Sequence, residues 1–273
     1  CLETFIALVP KKTDETANLN VWFDSALDSA GSGSFQDVRT LAACASALGK
    51  IGDISSFDVL FKAATSKLDS SIVSSAIAAL NSLNSEYTDK ILGIIANKGI
   101  QDSYAAFSFA LKKDSLTASD RGRIAEAAFN LAMNDSPSTS TDARVSLLTA
   151  AMDQLTLLSW SQASPVVTKY FYQQQDDYKN GKIDIKDLLP IIHCVGAMRT
   201  TDAAQALSIF LGLLNSETEQ KKTYNEQLML VVIQALGDLG DKSAFDYLLY
   251  VGYLDYPESV KKASRDALAR LEW

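Results

Sequence analysis

The chain has 273 residues, with 25 Lys and Arg against 33 Asp and Glu, which gives a formal net charge of −8 at pH 7. This acidic balance argues against nucleic-acid binding, because such proteins need Lys and Arg to neutralise phosphates. One histidine and three cysteines exclude a metal site that needs two imidazoles and a framework of several disulfides.

The chain begins at Cys1, followed by an apolar segment at residues 2–9. Two interpretations are open: Cys1 is the lipidated first residue of a processed lipoprotein, or the sequence is a cut piece whose first helix begins there. The low Lys and Arg content and the polar loops favour an exported, periplasmic bacterial protein, although unpaired helix cysteines fit the cytoplasm equally well. The longest apolar runs, at 188–198 and 228–237, are about half the roughly 20 residues that span a bilayer, so no transmembrane segment is predicted.

Apolar side chains recur at helical spacing throughout the sequence. One early set is Leu41, Cys44, Ala45 and Leu48. This spacing predicts an amphipathic helix with one apolar stripe. Glycine and proline are scarce, at 13 and 5 residues, and alternating strand patterns are rare. The sequence therefore predicts an all-α fold.

A two-helix unit repeats along the chain. The segment ALGKIGDISSFDVL at residues 47–60 matches ALGDLGDKSAFDYL at residues 235–248, and weaker copies lie at 79–95 and 194–210. In each strong copy a first helix is predicted to end at a glycine, Gly52 or Gly240, in the left-handed conformation. The next residue, an aspartate, is predicted to accept backbone N–H groups at the start of a second helix.

This unit resembles the repeat of HEAT-repeat proteins, of the bacterial HEAT-like type also found in phycobilin lyases. Residues 47–53 and 235–241 carry the resemblance, together with Val38 and Arg39 at the start of a first helix, where the family often has Val-Arg. The resemblance implies a right-handed α-α superhelix, a HEAT-like solenoid of about six to seven helical hairpins. Each hairpin would bury its faces on its neighbours.

The expected organisation is a single α-solenoid over residues 1–273. Residues 1–34 are expected to form a helix pair, and residues 35–111 regular HEAT-like repeats. Residues 112–190 are expected to form irregular repeats with long loops, and residues 191–273 C-terminal HEAT-like repeats. Long connections between hairpins are expected on one edge, at 30–34, 134–142, 173–187 and 215–226. Insertions on one side of a repeat stack are typical of a binding face, and drift in solvated loops is the alternative.

Four tyrosines follow one another at three-residue steps near the C-terminus: Tyr247, Tyr250, Tyr253 and Tyr256. Phe245, Leu248 and Leu249 are assigned to the core, so some of the tyrosines are expected at the surface. Either they bind a partner, since tyrosine is enriched at recognition surfaces, or they cover the C-terminal end together with Trp273. The resemblance implies a concave groove lined by second helices. The candidate partner-binding residues are Tyr247, Tyr250, Tyr253, Asp246 and Tyr178.

The segment QQQDDYKNGKIDIKD at 173–187 is similar to a calcium-binding EF-hand loop. Asp176, Asn180, Asp184 and Asp187 occupy its first, fifth, ninth and twelfth positions, and a glycine occupies the sixth. Tyr178 stands where an oxygen ligand is expected, and the last ligand is Asp in place of Glu. Asp187 as a helix cap is the alternative, and apart from calcium no cofactor is predicted.

Catalytic motifs are absent from the sequence. His193 and Cys194 are adjacent on a predicted helix and so point about 100° apart, which does not suit a nucleophile and its base. His193 is expected to be buried and hydrogen-bonded, and Cys44 to be a small core residue.

The predicted function is therefore non-catalytic. The protein would act as a scaffold for another protein or a peptide, bound in the concave groove or along the acidic loop edge, and the acidic surface favours a basic partner. The alternative is a HEAT-like lyase or chaperone that acts on a bound small molecule or chromophore. A deep aromatic pocket would favour this second interpretation.

Overall fold

A computed structural model of the chain describes residues 13–33, 37–83, 87–135, 141–220 and 223–272. These ranges contain fourteen α-helices and no strand, which confirms the all-α prediction. The helices are α1 (Thr13–Gly31), α2 (Val38–Ile51), α3 (Phe57–Ala64), α4 (Ser70–Ser82), α5 (Thr88–Asn97), α6 (Ile100–Leu111), α7 (Ala118–Asn134), α8 (Thr141–Leu158), α9 (Ser164–Lys179), α10 (Ile185–Ala197), α11 (Thr201–Glu219), α12 (Glu226–Leu239), α13 (Phe245–Val251) and α14 (Glu258–Leu268). None of these helices is both long and apolar enough to traverse a lipid bilayer. Cys1 lies outside the described residues.

The chain divides into two compact units, Cys1–Asp120 and Arg121–Trp273. In the first unit, α1 packs on α2 and α3, α2 and α3 pack on α4, and α5 packs on α6. In the second unit, α8, α10, α12 and α14 pack in succession, and α9, α11 and α13 do the same. Within the second unit, alternate helices thus form two layers.

The turn inside the repeated hairpin is the same in both strong copies. Gly52 and Gly240 have φ of 71° and 67°, and their N–H groups donate to the carbonyls of Leu48 and Leu236. This left-handed conformation costs glycine nothing, because it has no Cβ. The predicted glycine turn is confirmed in both copies.

The aspartate after each glycine caps the next turn of the chain. Asp53 accepts the Ser55 N–H at 2.9 Å, and Asp241 accepts the Ser243 N–H at 2.8 Å. The predicted caps are confirmed, with one addition: each aspartate opens a 3₁₀ turn, Ile54–Ser56 or Lys242–Ala244, before the α-helix begins. The repeat is therefore a helix, a glycine turn, a capped 3₁₀ turn and a second helix.

Two of the connections expected between hairpins, at 173–187 and 215–226, are present but shorter than predicted. The helix α9 runs to Lys179 and α11 runs to Glu219, so both helices cover residues that were assigned to connections. Tertiary contacts extend them: Gln175 is buried near the end of α9, and Thr218 is hydrogen-bonded to Tyr256 near the end of α11. A buried polar side chain holds a helix turn in place even where the apolar pattern has stopped.

Candidate functional site

Three helices of one layer in the second unit expose large apolar side chains. The helix α9 packs on α11, and α11 packs on α13. We call the exposed set on and just after these helices the aromatic face; it consists of Tyr172, Ile209, Leu213, Tyr247, Tyr250 and Tyr253. Exposed apolar side chains that lie on neighbouring helices, in contrast to single scattered ones, are typical of an interaction surface.

Two of its tyrosines rest on α11. The ring of Tyr247 lies over Gly212, where a Cβ would come within 2.9 Å of the tyrosine Cε1. The Tyr247 carbonyl accepts a hydrogen bond from Asn215 Nδ2 at 3.2 Å. The Tyr250 hydroxyl donates to Glu219 Oε1 at 2.9 Å. The contact with Gly212 restricts the Tyr247 ring, and the hydrogen bond to Glu219 restricts the Tyr250 ring. Side chains that are already ordered lose little further entropy when a surface is covered.

The tyrosine series divides between surface and core. Tyr253 is 76% exposed, whereas Tyr256 is only 4% exposed and its hydroxyl bonds with Thr218 at 2.8 Å and Asn215 at 3.1 Å. The prediction that some of these tyrosines lie at the surface is confirmed. The helix α13 ends at Val251, so the last two tyrosines come after a turn and no longer share one helical face.

The core assignment of Leu249 is wrong. Leu249 is 38% exposed, and Val251 is fully buried beside Leu248 in its place. The reason is that α13 is short and contacts both α11 and α14, so its buried side is set by two neighbours and not by one apolar stripe.

The face extends from α13 to α11 and α9. Ile209 is 50% exposed, and Leu213 stands one turn further along the same side of α11. Tyr172 of α9 lies beside Phe171, whose ring meets Phe210 of α11 at a centroid distance of 5.5 Å. Sequence reasoning missed these α9 and α11 residues. Ile209 and Leu213 lie outside the buried stripe of α11, but the sequence pattern indicates this only when the bounds of that helix are known.

Exposed carboxylates border the aromatic face. Asp246 and Glu219 lie on α13 and α11, and Asp255 comes after Tyr253 in the chain, all three exposed. The hydrogen bond to Glu219 raises the pKa of Tyr250. An aromatic surface with an acidic border is complementary to a partner that carries Lys or Arg, because cations bind both carboxylates and ring faces.

Tyr178 does not belong to this exposed group. It is half-buried near the end of α9 and therefore falls outside the exposed set. Its assignment to a partner site stays a prediction.

The residues of the EF-hand-like segment fall on two helices and the turn between them. Asp176 is in the last turn of α9, and Asn180 caps that helix through a hydrogen bond to the Asp176 carbonyl at 2.9 Å. Asp184 caps α10, where Asp187 Oδ2 accepts the Asp184 N–H at 3.2 Å. Asp187 thus takes part in a helix cap, but as the third helical residue of a capping box in which Asp184, and not Asp187, is the N-cap.

The carboxylate of Asp184 is already engaged in local bonds. Lys186 Nζ lies 3.0 Å from its Oδ2, and the hydrogen bond from Lys186 is the main cause that lowers the pKa of Asp184. Within the described ranges, no three His, Cys, Asp or Glu side chains are grouped so that they could hold a metal ion. Calcium binding at 176–187 stays a prediction that calorimetry at millimolar calcium tests.

The expectation of a buried His193 is wrong. The helix α10 buries Leu188, Ile191, Ile192, Cys194 and Val195, and this stripe leaves His193 exposed on the other side. Burial raises the pKa of Cys194 to about 11 and that of Cys44 to about 12. Both thiols therefore stay protonated near neutral pH and are poor nucleophiles.

The sequence matches no protein-family model, and a search of curated proteins found no match to it either.

Proposed function

We propose that the protein is a non-catalytic scaffold that binds another protein or a peptide through the aromatic face. The observation that carries this proposal is the placement of Tyr247 and Tyr250 against α11, with an exposed Tyr253 three residues further along the chain. Tyrosine provides a large contact area at low conformational cost, and hot spots of interfaces are enriched in it. The carboxylates of Asp246, Glu219 and Asp255 favour a basic partner.

We also propose that the hairpins follow HEAT-like geometry within each unit, with the twist of a right-handed superhelix. The equivalent turns at 52–57 and 240–245 support this view, as does the succession of alternate helices in the second unit. In such a stack the second helices of the hairpins share one surface. The aromatic face would then be part of that surface.

The test of the scaffold function is capture of partners from the native cell with the wild-type protein and two variants. The triple variant Tyr247→Ala, Tyr250→Ala and Tyr253→Ala removes the tyrosines of the face. The control Val145→Ala shortens an exposed apolar side chain on α8, outside the face. A protein captured by the wild type and by the control, and lost with the triple variant, supports the proposal. Equal capture by the wild type, the control and the triple variant contradicts the proposal.

A second candidate function is supported by a cavity in the first unit. The cavity, of about 580 Å³, lies between α3, α4 and α6 and is lined by Phe61, Ile77, Leu80, Phe109 and Lys112, among others. This volume falls in the roughly 300–1,000 Å³ range of small-molecule sites. It lies between α4 and α6, which pack much less closely on each other than α2 and α4 do. An apolar ligand held here would fit the lyase or chaperone alternative.

Filling the cavity tests this second candidate. The substitution Ala105→Trp places a large side chain in the cavity without removing any of its aromatic walls. Binding of a fluorescent apolar probe should fall in this variant if the cavity takes such ligands. Ala269→Trp, at an exposed position of the second unit, is the matched control. Unchanged probe binding in Ala105→Trp contradicts the candidate.

A further inference from the structure

We propose that the second unit holds a separate binding site for a small oxyanion, in the cavity beside Arg199. This cavity, of about 520 Å³, is bounded by α8, α10 and α12 and by the segment after α14. The polar side chains that line it belong to Thr156, Ser159, His193, Arg199, Asp238 and Arg270. None of them belongs to the aromatic face, so the two proposals are independent.

The backbone at this cavity is strained in two places. In the described part of the chain, only Ser159 and Arg199 combine a side chain with a positive φ, at 47° and 52°, and both line this cavity. Each lies within two residues of the end of a first helix, close to the place that Gly52 and Gly240 occupy in the repeated turns. Glycine adopts this conformation at no steric cost, whereas the Cβ of Ser or Arg makes it unfavourable. Strained residues that cluster at one cavity are a signature of functional sites.

Three donor side chains are free at the cavity. The guanidinium of Arg199, the imidazole of His193 and the hydroxyl of Ser159 form no hydrogen bond or ion pair with any other described residue. In contrast, Arg270 Nη1 pairs with Asp238 Oδ1 at 2.5 Å, which neutralises both charges. The remaining charge at the cavity is therefore positive, on a chain whose formal net charge is −8.

The chemistry of these groups suits an oxyanion. The planar guanidinium of Arg donates two parallel hydrogen bonds to phosphate or carboxylate oxygens. A serine hydroxyl and an imidazole N–H add further donors. The carbonyl ends of α8 and α10 face this edge and disfavour an anion, so the arginine charge is essential for binding. The ligand class is a phosphate or carboxylate group, alone or as part of a small molecule.

The experiment uses the imidazole of His193 as a reporter. Because the chain contains one histidine, its ring resonances in an NMR spectrum are unambiguous. Titration with inorganic phosphate should move these resonances saturably, and a parallel titration with acetate tells a phosphate site from a general oxyanion site. Saturable movement with either anion supports the proposal. If neither phosphate nor acetate moves the resonances saturably, the proposal is wrong.

The variant Arg199→Gly separates binding from folding. Glycine keeps the left-handed turn and removes the guanidinium, so the melting temperature should rise while phosphate affinity falls by about tenfold or more. Arg265→Gln, which removes an exposed arginine of α14, is the control and should bind as the wild type does. If Arg199→Gly binds phosphate as tightly as the wild type, Arg199 is only a turn residue and the proposal is wrong. Arg199→Asn, a residue that tolerates this conformation, repeats the test if the glycine variant folds poorly.

Discussion

The Tyr250 hydroxyl donates a hydrogen bond to Glu219 Oε1 at 2.9 Å and so links α13 to α11 across the aromatic face. The bond connects two packed helices that are separated in the chain by α12. It holds one ring of the face in position and leaves that ring 40% exposed. The structural role of this side chain and its proposed binding role can be separated by experiment.

Replacement of Glu219 by Gln should lower the pKa of Tyr250. The hydrogen bond to Glu219 holds that pKa above its ordinary value of 10.0, because the carboxylate stabilises the neutral phenol. The stabilisation is therefore present at neutral pH and is lost as the pH rises through the raised pKa. Ultraviolet difference titration of the wild type and Glu219→Gln measures the shift. Tyr250→Phe, which removes the titrating group, identifies its signal, and identical titration curves for the wild type and Glu219→Gln contradict the bond.

Two glycines in helices should respond to alanine in opposite ways. At Gly49 a Cβ would lie 2.6 Å from the Cα of Ala79, so Gly49→Ala forces α2 away from α4 and should destabilise the protein by about 1–3 kcal/mol. At Gly93 no atom outside the adjoining turns of its own helix lies within 4 Å of the added methyl, so Gly93→Ala should stabilise α5 by about 0.5–1 kcal/mol. Urea unfolding of both variants measures the difference. The same sign for both contradicts the close packing of α2 on α4.

Substitution at Gly212 tests the placement of Tyr247. A Cβ at residue 212 would come within 2.9 Å of the tyrosine ring, so Gly212→Ala must displace that ring. Partner capture should weaken although no side chain of the face is removed. The far-ultraviolet circular dichroism should stay unchanged, because alanine favours a helix. Capture equal to that of the wild type would show that the position of Tyr247 is not important for binding.

Loss of the Asp241 cap should reduce stability in a pH-dependent way. Asp241→Ala should cost about 1 kcal/mol at neutral pH, as expected for an N-cap. The backbone N–H of Ser243 is the main cause that lowers the pKa of Asp241 below 3.8. A lowered folded pKa gives stability that is present above the unfolded pKa and is lost as the pH falls through the folded value.

The free energy of unfolding measured from pH 7 down to pH 2 checks this sign. The difference between the wild type and Asp241→Ala should shrink below about pH 4, where the unfolded carboxyl protonates. Asp241→Asn retains a good cap without the titrating carboxyl, so its difference from the wild type should be small at neutral pH. If the loss of unfolding free energy caused by Asp241→Ala grows as the pH falls, the assignment of Asp241 as a cap with a lowered pKa is wrong.

Buried thiols should resist alkylation in the native protein. Burial raises the pKa of Cys44 and Cys194 to about 12 and about 11. In a Cys1→Ser variant, iodoacetamide at pH 8 should leave both thiols unmodified until urea unfolds the chain, with mass spectrometry as the measurement. Rapid native labelling of either cysteine would show that its helix opens easily.

The hairpin turns can be predicted from the sequence because their physics is local. A left-handed glycine such as Gly52 and a capping aspartate such as Asp53 depend on a few neighbouring residues, all of them close by in the chain. The same holds for the all-α class, since helical spacing and the scarcity of glycine act within each segment. The surface position of Tyr253 is also predictable in part, because one apolar stripe cannot accommodate the whole series of tyrosines.

The tertiary structure alone decided which faces are covered and which residues meet. Whether His193 is buried depends on which side of α10 its neighbours occupy, and the extension of α9 to Lys179 depends on the packing that buries Gln175. Ser159 and Arg199 lie far apart in the sequence, and they line one cavity because α8 and α10 pack together and both end there. Burial and juxtaposition arise from packing between elements, and no local window of sequence contains the partner helix.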